Sequence, residues 1–247
     1  MEFLTKYPKN RPDLPVGYIE AYEDHYSKNR GGVGLMNALS QYVEGWMHRV
    51  IAVNGRAYVN CELLDFGCGN LNHFKYEKNY KSYDAVEPYR KLIEGSSELA
   101  NIRNLYSNSS DIKEKTYDRV LSVAVLEHLP NLPLELCHLI RLMKVGGVFQ
   151  AGIPCEGEWA WDLGWKLSTG RSFKRAYGLD FSPVMKFEHV NSMSEIIDCV
   201  QYFFADVTYQ RSPFPFPIKG LSFYAYIEAR KPILSRVEDY LATTLSK

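Results

Sequence analysis

Apolar residues along this chain occur in short continuous runs, separated by stretches in which apolar positions recur every three or four residues. The first pattern is typical of buried strands and the second of amphipathic helices. The two patterns alternate from residue 58 to residue 154, which predicts a parallel sheet with right-handed crossovers. The predicted strands lie near residues 61–66, 82–87, 103–107, 118–124 and 147–153, and the predicted helices near residues 71–77, 88–99 and 131–143.

Composition narrows the class of protein. The chain has 29 basic and 29 acidic residues, and this neutrality argues against nucleic-acid binding by bulk electrostatics. Its five cysteines form no CxxC pair, which indicates reduced, structural thiols. No apolar run approaches the roughly 20 residues that span a bilayer, and the start lacks the apolar core of a signal peptide. We therefore expect a cytoplasmic protein.

The most informative motif is a glycine-containing turn after the first predicted strand. That strand runs into the sequence LLDFGCGN, which contains Asp65, Gly67 and Gly69. Glycines let a backbone approach a ligand closely, and a second apolar strand ends in Glu87 about 20 residues later. This pairing predicts a nucleotide-type cofactor across the carboxyl ends of two neighbouring parallel strands. Asn72 replaces the glycine that a nicotinamide fingerprint requires three residues after Gly69.

Four motifs follow one another between residues 65 and 154. They are DFGCG at residues 65–69, the strand-ending Glu87, the pair YDRV and VLEHL between residues 117 and 129, and a Gly-Gly turn at residues 146–147. In this order they resemble the motifs of class I S-adenosylmethionine-dependent methyltransferases. Leu71 stands where many members of that family have a third glycine.

The resemblance implies a fold, a cofactor and a set of contacts. The implied fold is a doubly wound α/β domain with a mostly parallel seven-stranded sheet, its last strand antiparallel, and the implied cofactor is S-adenosylmethionine. The acidic residue of the turn and its glycines are expected at the methionine end of that cofactor. The cofactor-binding residues implied are Asp65, Gly67, Cys68 and Gly69 in the turn, Glu87 for the ribose and Asp111 for the adenine amino group.

Two pairs of an acidic residue and a histidine are candidates for proton transfer. Glu127 and His128 stand where the fourth strand meets its helix, beside the expected methyl group. A neutral imidazole there could accept a proton from an acceptor hydroxyl. Glu188 and His189 are the rival pair, at the exit of the segment 155–190. An architectural role for the first pair and a surface position for the second stay open, and no metal site is predicted.

The segment 155–190 supplies the candidates for acceptor binding. It holds three tryptophans, among them Trp161, which could stack on a sugar or another ring-bearing acceptor or pack on one another. Arg171 and Arg175 could bind a phosphate or carboxylate or form an exposed basic face. We therefore predict one domain in four parts: an N-terminal arm and helices (1–57), the cofactor-binding core (58–154), an aromatic acceptor-site insertion (155–190) and the C-terminal part of the sheet with a tail (191–247).

These expectations predict in-line methyl transfer from S-adenosylmethionine to an oxygen or nitrogen of a small-molecule or glycan-like acceptor, accelerated mainly by proximity. The downstream layout is loosely similar to that of methyltransferases of surface-polysaccharide synthesis. One alternative is a nicotinamide-dependent oxidoreductase on the same sheet, and another is a non-catalytic S-adenosylmethionine-binding protein. No nucleic-acid partner is expected, and the oligomeric state stays open.

Overall fold

The computed structural model describes residues 2–29, 35–113, 116–212 and 220–245. Its central element is a seven-stranded sheet with the strand order β3-β2-β1-β4-β5-β7-β6. Pairing is parallel from β3 to β5, and β7 is antiparallel to both of its neighbours. The strands are β1 (Cys61–Phe66), β2 (Tyr80–Val86), β3 (Asn104–Tyr106), β4 (Tyr117–Val123), β5 (Met143–Pro154), β6 (Phe204–Ser212) and β7 (Tyr224–Pro232). This sheet confirms the predicted doubly wound, mostly parallel fold.

Helices precede the sheet, cover both of its faces and fill the insertion after β5. They are α1 (Tyr18–Asn29), α2 (Leu35–Gly55), α3 (Leu132–Arg141), α4 (Trp159–Trp165), α5 (Arg171–Tyr177), α6 (Ser182–Glu188), α7 (Met193–Phe203) and α8 (Leu234–Leu245). The predicted N-terminal helices and the aromatic insertion are therefore present. Among the helices of the described segments, none is long and apolar enough to cross a membrane.

Successive residues of β1 point to opposite faces of the sheet and belong to different parts of the core. Leu63 packs in a cluster with Ile51 of α2, whereas Leu64 packs in a cluster with Leu136 of α3 and Val200 of α7. All five of these side chains are fully buried. Because β1 is apolar on both faces, as central parallel strands are, helices cover it from both sides.

The strand order gathers the predicted motifs at one edge of the sheet. Phe66 at the end of β1 pairs with Val86 at the end of β2, and Val86 pairs with Tyr106 at the end of β3. On the other side β1 pairs with β4, so the crossover direction changes between these two strands. Ligands bind at such switch points, outside the carboxyl ends of the strands. The fold therefore places the turns after β1, β2 and β4 side by side.

The predicted helix over residues 88–99 is wrong. The structure has two 3₁₀ turns there, Arg90–Leu92 and Ser97–Asn101. Gly95 lies between them, and the Ser96 hydroxyl accepts a hydrogen bond from the Glu98 amide, which caps the second turn as a separate element. Glycine is unfavourable in a helix interior and serine is favoured as a cap, so the two together interrupt the helical pattern. The short helix predicted over residues 71–77 is also a 3₁₀ turn.

A buried ion pair ties the segment after the glycine turn to the sheet and to α2. Arg119 of β4 is 1% exposed, and its Nη1 lies 2.7 Å from Oε2 of Glu77. Its Nη2 donates a hydrogen bond to the carbonyl of Ile51 at 3.1 Å. Burial alone would raise the pKa of Glu77, but hydrogen bonds from His73 and Arg119 lower that pKa to about 2. The charged pair is thus fully compensated inside the core.

The N-terminal segment packs on the insertion. Ala21 of α1 shares a buried cluster with Phe173 of α5 and Phe181. Tyr177 donates a hydrogen bond of 2.7 Å to the Asp24 carboxylate. These contacts join α1 to the helices that follow β5, above the carboxyl edge of the sheet.

Candidate functional site

The turn after β1 needs both of its glycines, for different reasons. Gly67 has φ +76°, and a Cβ at this position would lie 2.3 Å from Cγ2 of Val125, the second residue after β4. Gly69 has φ +55°, and a Cβ there would meet no heavy atom within 4 Å. Positive φ favours glycine at both positions. Gly67 therefore lets the turn contact the segment after β4, and Gly69 borders open space.

The Glu87 carboxylate lies against this turn. It is 6% exposed. Its Oε2 accepts a hydrogen bond from the Gly69 amide at 2.9 Å, and its Oε1 accepts one from the Tyr89 amide at 2.9 Å. A carboxylate has about four lone-pair sites, so each oxygen keeps the capacity to accept a further hydrogen bond. A pair of ribose hydroxyls fits that capacity, and the ribose contact stays a prediction.

Asp65 lies beneath the turn and not on its surface. It is 1% exposed, and Tyr83 donates a hydrogen bond of 2.6 Å to its Oδ2. Burial raises the pKa of Asp65 to about 7; the hydrogen bond from Tyr83 and the charge of Arg119 lower it, and the charges of Glu77 and Glu87 raise it. The carboxyl group is therefore half protonated near neutral pH, and its expected contact with a cofactor stays a prediction.

We expect the free energy of unfolding to change with pH because Asp65 titrates. Below pH 7 the native state holds a proton on Asp65 that the unfolded state releases above its pKa of about 3.9. The contribution of Asp65 to the free energy of unfolding is therefore most favourable at low pH. It falls by up to about 1.4 kcal/mol per pH unit as pH rises towards 7. In urea unfolding at pH 5 and pH 7, wild type should lose about 2 kcal/mol relative to Asp65→Asn.

Asp118→Asn is the control for this experiment. Its carboxylate is 39% exposed. Burial alone would raise the pKa of Asp118, but hydrogen bonds from the Glu62 amide and from Lys144 lower it. The carboxylate stays ionised from pH 5 to pH 7, so the difference between this variant and wild type should not change over that range. If the difference in unfolding free energy between Asp65→Asn and wild type were also the same at pH 5 and pH 7, this would contradict the raised pKa of Asp65.

Cys68 and Asp111 contribute to the local structure around the turn. Cys68 is 6% exposed, its thiol lies 3.7 Å from the Gly69 carbonyl, and burial raises its pKa. Asp111 is exposed at the end of a 3₁₀ turn, where its Oδ2 accepts a hydrogen bond from the Asn108 amide at 3.0 Å. All five cysteines are buried and unpaired. Contacts of Cys68 and Asp111 with a cofactor stay predictions.

The two histidine pairs predicted as rivals meet in one cluster, which we call the Glu–His cluster: Glu127, His128 and His189. One nitrogen or oxygen atom from each of these residues lies within 4.8 Å of the others. The two imidazole rings are 4.9 Å apart and nearly perpendicular. Glu127 is 2% exposed, whereas both histidines are partly exposed. The sequence presents these pairs as alternatives, and the fold combines them.

Backbone hydrogen bonds hold the two halves of the Glu–His cluster together. The amides of Val190 and Asn191 both donate to the Glu127 carbonyl, at 2.9 and 3.0 Å. The Asn191 side chain donates to the carbonyls of Leu126 and Leu129 at 2.9 and 2.8 Å. The segment after α6 is thus fixed against the turn after β4. Since the side chain of Val125 contacts Gly67, the Glu–His cluster is also close to the glycine turn.

Carboxylates surround His128. Its Nδ1 lies 2.9 Å from the Glu188 carbonyl and 3.3 Å from Oε2 of Glu188, and its Nε2 lies 3.8 Å from Oε1 of Glu127. Burial lowers the pKa of His128, but the hydrogen bond to Glu188 and the charges of Glu127 and Glu188 raise it above its usual value. The pKa of Glu188 is lowered in spite of burial, through hydrogen bonds from His128 and Tyr22. The surroundings therefore favour positive charge at this point.

Trp161 borders the Glu–His cluster, and the two arginines do not belong to it. The Trp161 ring lies nearly parallel to that of His189 at 6.3 Å, and its Nε1 donates to Oε2 of Glu156 at 2.6 Å. Arg171 and Arg175 are exposed, on the face of α5 opposite the buried Phe173. An acceptor role for these three predicted residues stays a prediction, and the geometry favours it more for Trp161.

Sequence reasoning missed two residues of the site. Glu156 accepts a hydrogen bond from Nδ1 of His189 at 2.8 Å, and Arg11 donates to the carbonyls of His128 and Phe187 at 2.8 and 3.0 Å. Glu156 follows β5 by two residues, so its place at the carboxyl edge of the sheet was the available signal. Arg11 belongs to no motif, because its contacts with the turn after β4 and with α6 join segments that are far apart in the sequence.

A comparison with known protein families identifies one family. The methyltransferase domain family matches residues 38–195, which is more than half of the chain. A search of curated proteins found no match. The match to this family favours methyl transfer over the nicotinamide alternative.

Several solved structures with a similar fold are methyltransferases. The plantazolicin methyltransferase BpumL, in complex with a monoazolic desmethylPZN analog and SAH, has a TM-score of 0.59 and 12% identity, over 85% of this chain and 90% of that chain. The N-methyltransferase NodS from Bradyrhizobium japonicum WM9, in complex with S-adenosyl-l-homocysteine (SAH), has a TM-score of 0.53 and 11% identity, over 86% of this chain and 98% of that chain. The magnesium protoporphyrin IX methyltransferase ChlM from Synechocystis PCC 6803, with bound SAH, has a TM-score of 0.52 and 11% identity, over 84% of this chain and 93% of that chain. With the family match, this fold shows that the chain belongs to the methyltransferase domain family, within the class I S-adenosylmethionine-dependent methyltransferases.

Proposed function

We propose that this chain transfers a methyl group from S-adenosylmethionine to an oxygen or nitrogen of a small-molecule or glycan-like acceptor. The observation that carries the proposal is the contact between the glycine turn and the segment leading to the Glu–His cluster. Val125 packs on Gly67, and its carbonyl accepts a hydrogen bond from the His128 amide at 2.9 Å. The glycine turn, which we propose binds the cofactor, and a set of acid–base groups are therefore adjacent at the carboxyl edge of the sheet.

The turn has the features that a nucleoside cofactor needs. The space beside Gly69 is open, which permits close approach of a ligand to the backbone. Glu87 is held in place by two backbone amides and would accept hydrogen bonds from the ribose hydroxyls. S-adenosylmethionine, when bound, supplies an electrophilic methyl group on a sulfonium sulfur.

At the acceptor, the chain has to position a heteroatom and dispose of its proton. The acceptor atom forms a bond to the methyl carbon, the electron pair of the carbon–sulfur bond stays on sulfur, and the acceptor's proton moves to a base. His128 and His189 are the candidate bases. The Glu188 carbonyl and the Glu156 carboxylate orient their rings through Nδ1, and Glu127 adds negative charge 3.8 Å from Nε2 of His128. Holding the reacting atoms in line supplies most of the acceleration, and proton transfer typically contributes a further 10²–10⁴-fold.

The acceptor class rests on the surroundings of the Glu–His cluster. The similar structures include a plantazolicin methyltransferase and a magnesium protoporphyrin IX methyltransferase, so they do not select one class of acceptor. The partly exposed ring of Trp161 beside His189 supports an acceptor with a sugar or flat ring. Arg171 and Arg175 would serve an anionic group on a larger acceptor.

The test is transfer of a labelled methyl group from S-adenosylmethionine to a panel of acceptors, sugars and nucleotide sugars first. With the acceptor found, Trp161→Ala should raise the acceptor KM by about 5- to 30-fold, since a stacked aromatic ring contributes about 1–2 kcal/mol. Affinity for SAH should not change. Trp159→Ala is the matched control, because Trp159 is 56% exposed and should leave both constants unchanged.

Two other results would change the interpretation. An equal loss of acceptor and SAH binding in Trp161→Ala would mean that the insertion is mainly structural. SAH binding without transfer to any acceptor of the panel would favour the non-catalytic alternative.

A further inference from the structure

We propose that the Glu–His cluster, Glu127, His128 and His189, is a binding site for a divalent transition-metal ion. Its position beside the acceptor rests on the proposed function, whereas the binding of the ion does not. The ligand set comes from two segments, the turn after β4 and the residue after α6, which backbone hydrogen bonds hold together.

The spacing of the three ligand atoms suits a metal ion after a small closure. The atoms lie within 4.8 Å of one another, and Nε2 of His128 lies 3.8 Å from Oε1 of Glu127. Zinc bonds of about 2.1 Å in tetrahedral geometry require separations of roughly 3.4 Å. Side-chain movements on the order of 1 Å, which partly exposed histidines can make, would bring the ligands to that separation.

Both imidazoles have the orientation of metal ligands. Nδ1 of His128 lies 2.9 Å from the Glu188 carbonyl, and Nδ1 of His189 lies 2.8 Å from Oε2 of Glu156. Each Nδ1 can therefore donate its proton to an acceptor, which leaves each Nε2 with a free lone pair. Metal-binding histidines usually have this arrangement, in which a carbonyl or carboxylate fixes the tautomer and the direction of the ring.

Glu127 provides the independent observation. It is 2% exposed, and its Oε2 has no hydrogen-bond partner among the residues that the structure describes. A buried carboxylate oxygen without a partner is costly. The carboxylates of Glu156 and Glu188 add negative charge directly behind the two histidines. A cation between the three ligands would satisfy Oε2 of Glu127 and offset this charge.

The donor set indicates the kind of ion and its chemical use. Two imidazoles and one carboxylate favour Zn²⁺, Mn²⁺, Fe²⁺ or Co²⁺ over Mg²⁺ and Ca²⁺, which prefer oxygen ligands. Three protein ligands leave coordination positions open for an acceptor oxygen. Coordination lowers the pKa of a hydroxyl, as it does for bound water. With Nε2 of both histidines bound to the ion, the coordinated hydroxyl replaces them as the proton-releasing step: its proton leaves to solvent, and the oxygen keeps the electron pair that attacks the methyl carbon. The acceptors expected are therefore hydroxyl compounds.

Metal titration of chelator-treated protein tests this site. We expect calorimetry with Zn²⁺ to show one ion bound per chain, and Co²⁺ to give the visible absorption of a four- or five-coordinate ion. His189→Gln and Glu127→Gln should each weaken Zn²⁺ binding at least 100-fold. Glu156→Gln, which removes the charged partner of His189, should weaken it about 10- to 100-fold.

His138→Gln is the matched control, because His138 lies on α3 outside the Glu–His cluster and should leave Zn²⁺ binding unchanged. SAH titration of every variant checks that the fold is retained. Absence of Zn²⁺ and Co²⁺ binding in wild type would overturn the proposal, as would equal binding in His189→Gln and His138→Gln. Failure of wild type to bind SAH would instead contradict the proposed function and leave the metal result standing.

Discussion

Replacing Arg119 with methionine is expected to lower the free energy of unfolding by about 3–5 kcal/mol. Arg119 is 1% exposed and lies 2.7 Å from Oε2 of Glu77, which has 3% side-chain exposure. The substitution keeps most of the volume but leaves the Glu77 carboxylate buried, with His73 as its hydrogen-bond partner in the part of the chain that the structure describes. Losing one member of a buried ion pair is costly because the other charge is no longer compensated. Urea unfolding at pH 7 measures the change.

Two further variants separate this explanation from loss of packing. In the double variant Arg119→Met with Glu77→Gln, most of the lost stability should return, because no buried charge is left without its partner. Arg230→Met is the matched control, since Arg230 pairs with Glu228 at 2.7 Å but has 44% side-chain exposure. It should cost at most about 1 kcal/mol. An equal cost in Arg119→Met and Arg230→Met would contradict the role of the buried pair.

Arg119 also shows what the sequence could and could not predict. Its strand was predicted near residues 118–124 from the apolar run and is β4, Tyr117–Val123. Arg119 stands at the variable position of the YDRV stretch, and no local pattern connects it with Glu77. Only the sheet, which places β4 beside β1, brings the arginine under the segment that follows the glycine turn. Local periodicity predicts strands, whereas buried ion pairs depend on tertiary contacts.

The same distinction applies to the site. Glycine positions and strand-ending acidic residues could be predicted because the turn after β1 and the end of β2 are neighbours in any parallel sheet of this type. The Glu–His cluster could not, since His128 and His189 are brought together by hydrogen bonds between two distant loops. The helix predicted over residues 88–99 failed for a local reason, because Ser96 caps a new turn within an otherwise helical pattern. Hydrophobic periodicity does not detect a capping residue.

Replacing Glu87 with alanine is expected to weaken SAH binding about 100-fold or more. Two hydrogen bonds from ribose hydroxyls to a carboxylate contribute about 1.5–3 kcal/mol each, and tenfold in affinity corresponds to about 1.4 kcal/mol. The substitution also removes the acceptor of the Gly69 and Tyr89 amides, at 2.9 Å each, so the turn loses the contact that holds it. Calorimetric titration with SAH measures the loss.

The two contributions, ribose binding and support of the turn, can be separated with Glu87→Gln. The glutamine keeps one carbonyl oxygen that can accept from the Gly69 amide, but it carries no charge and has one acceptor fewer for the ribose. We therefore expect Glu87→Gln to weaken SAH binding by about 10-fold, and to lower the free energy of unfolding by less than Glu87→Ala does, because only the Tyr89 amide then loses its acceptor. Glu94→Ala, an exposed carboxylate in the same region, should change neither quantity. Unchanged SAH affinity in Glu87→Ala would contradict the ribose assignment, because the open turn at Gly69 would then bind the cofactor without its neighbouring carboxylate.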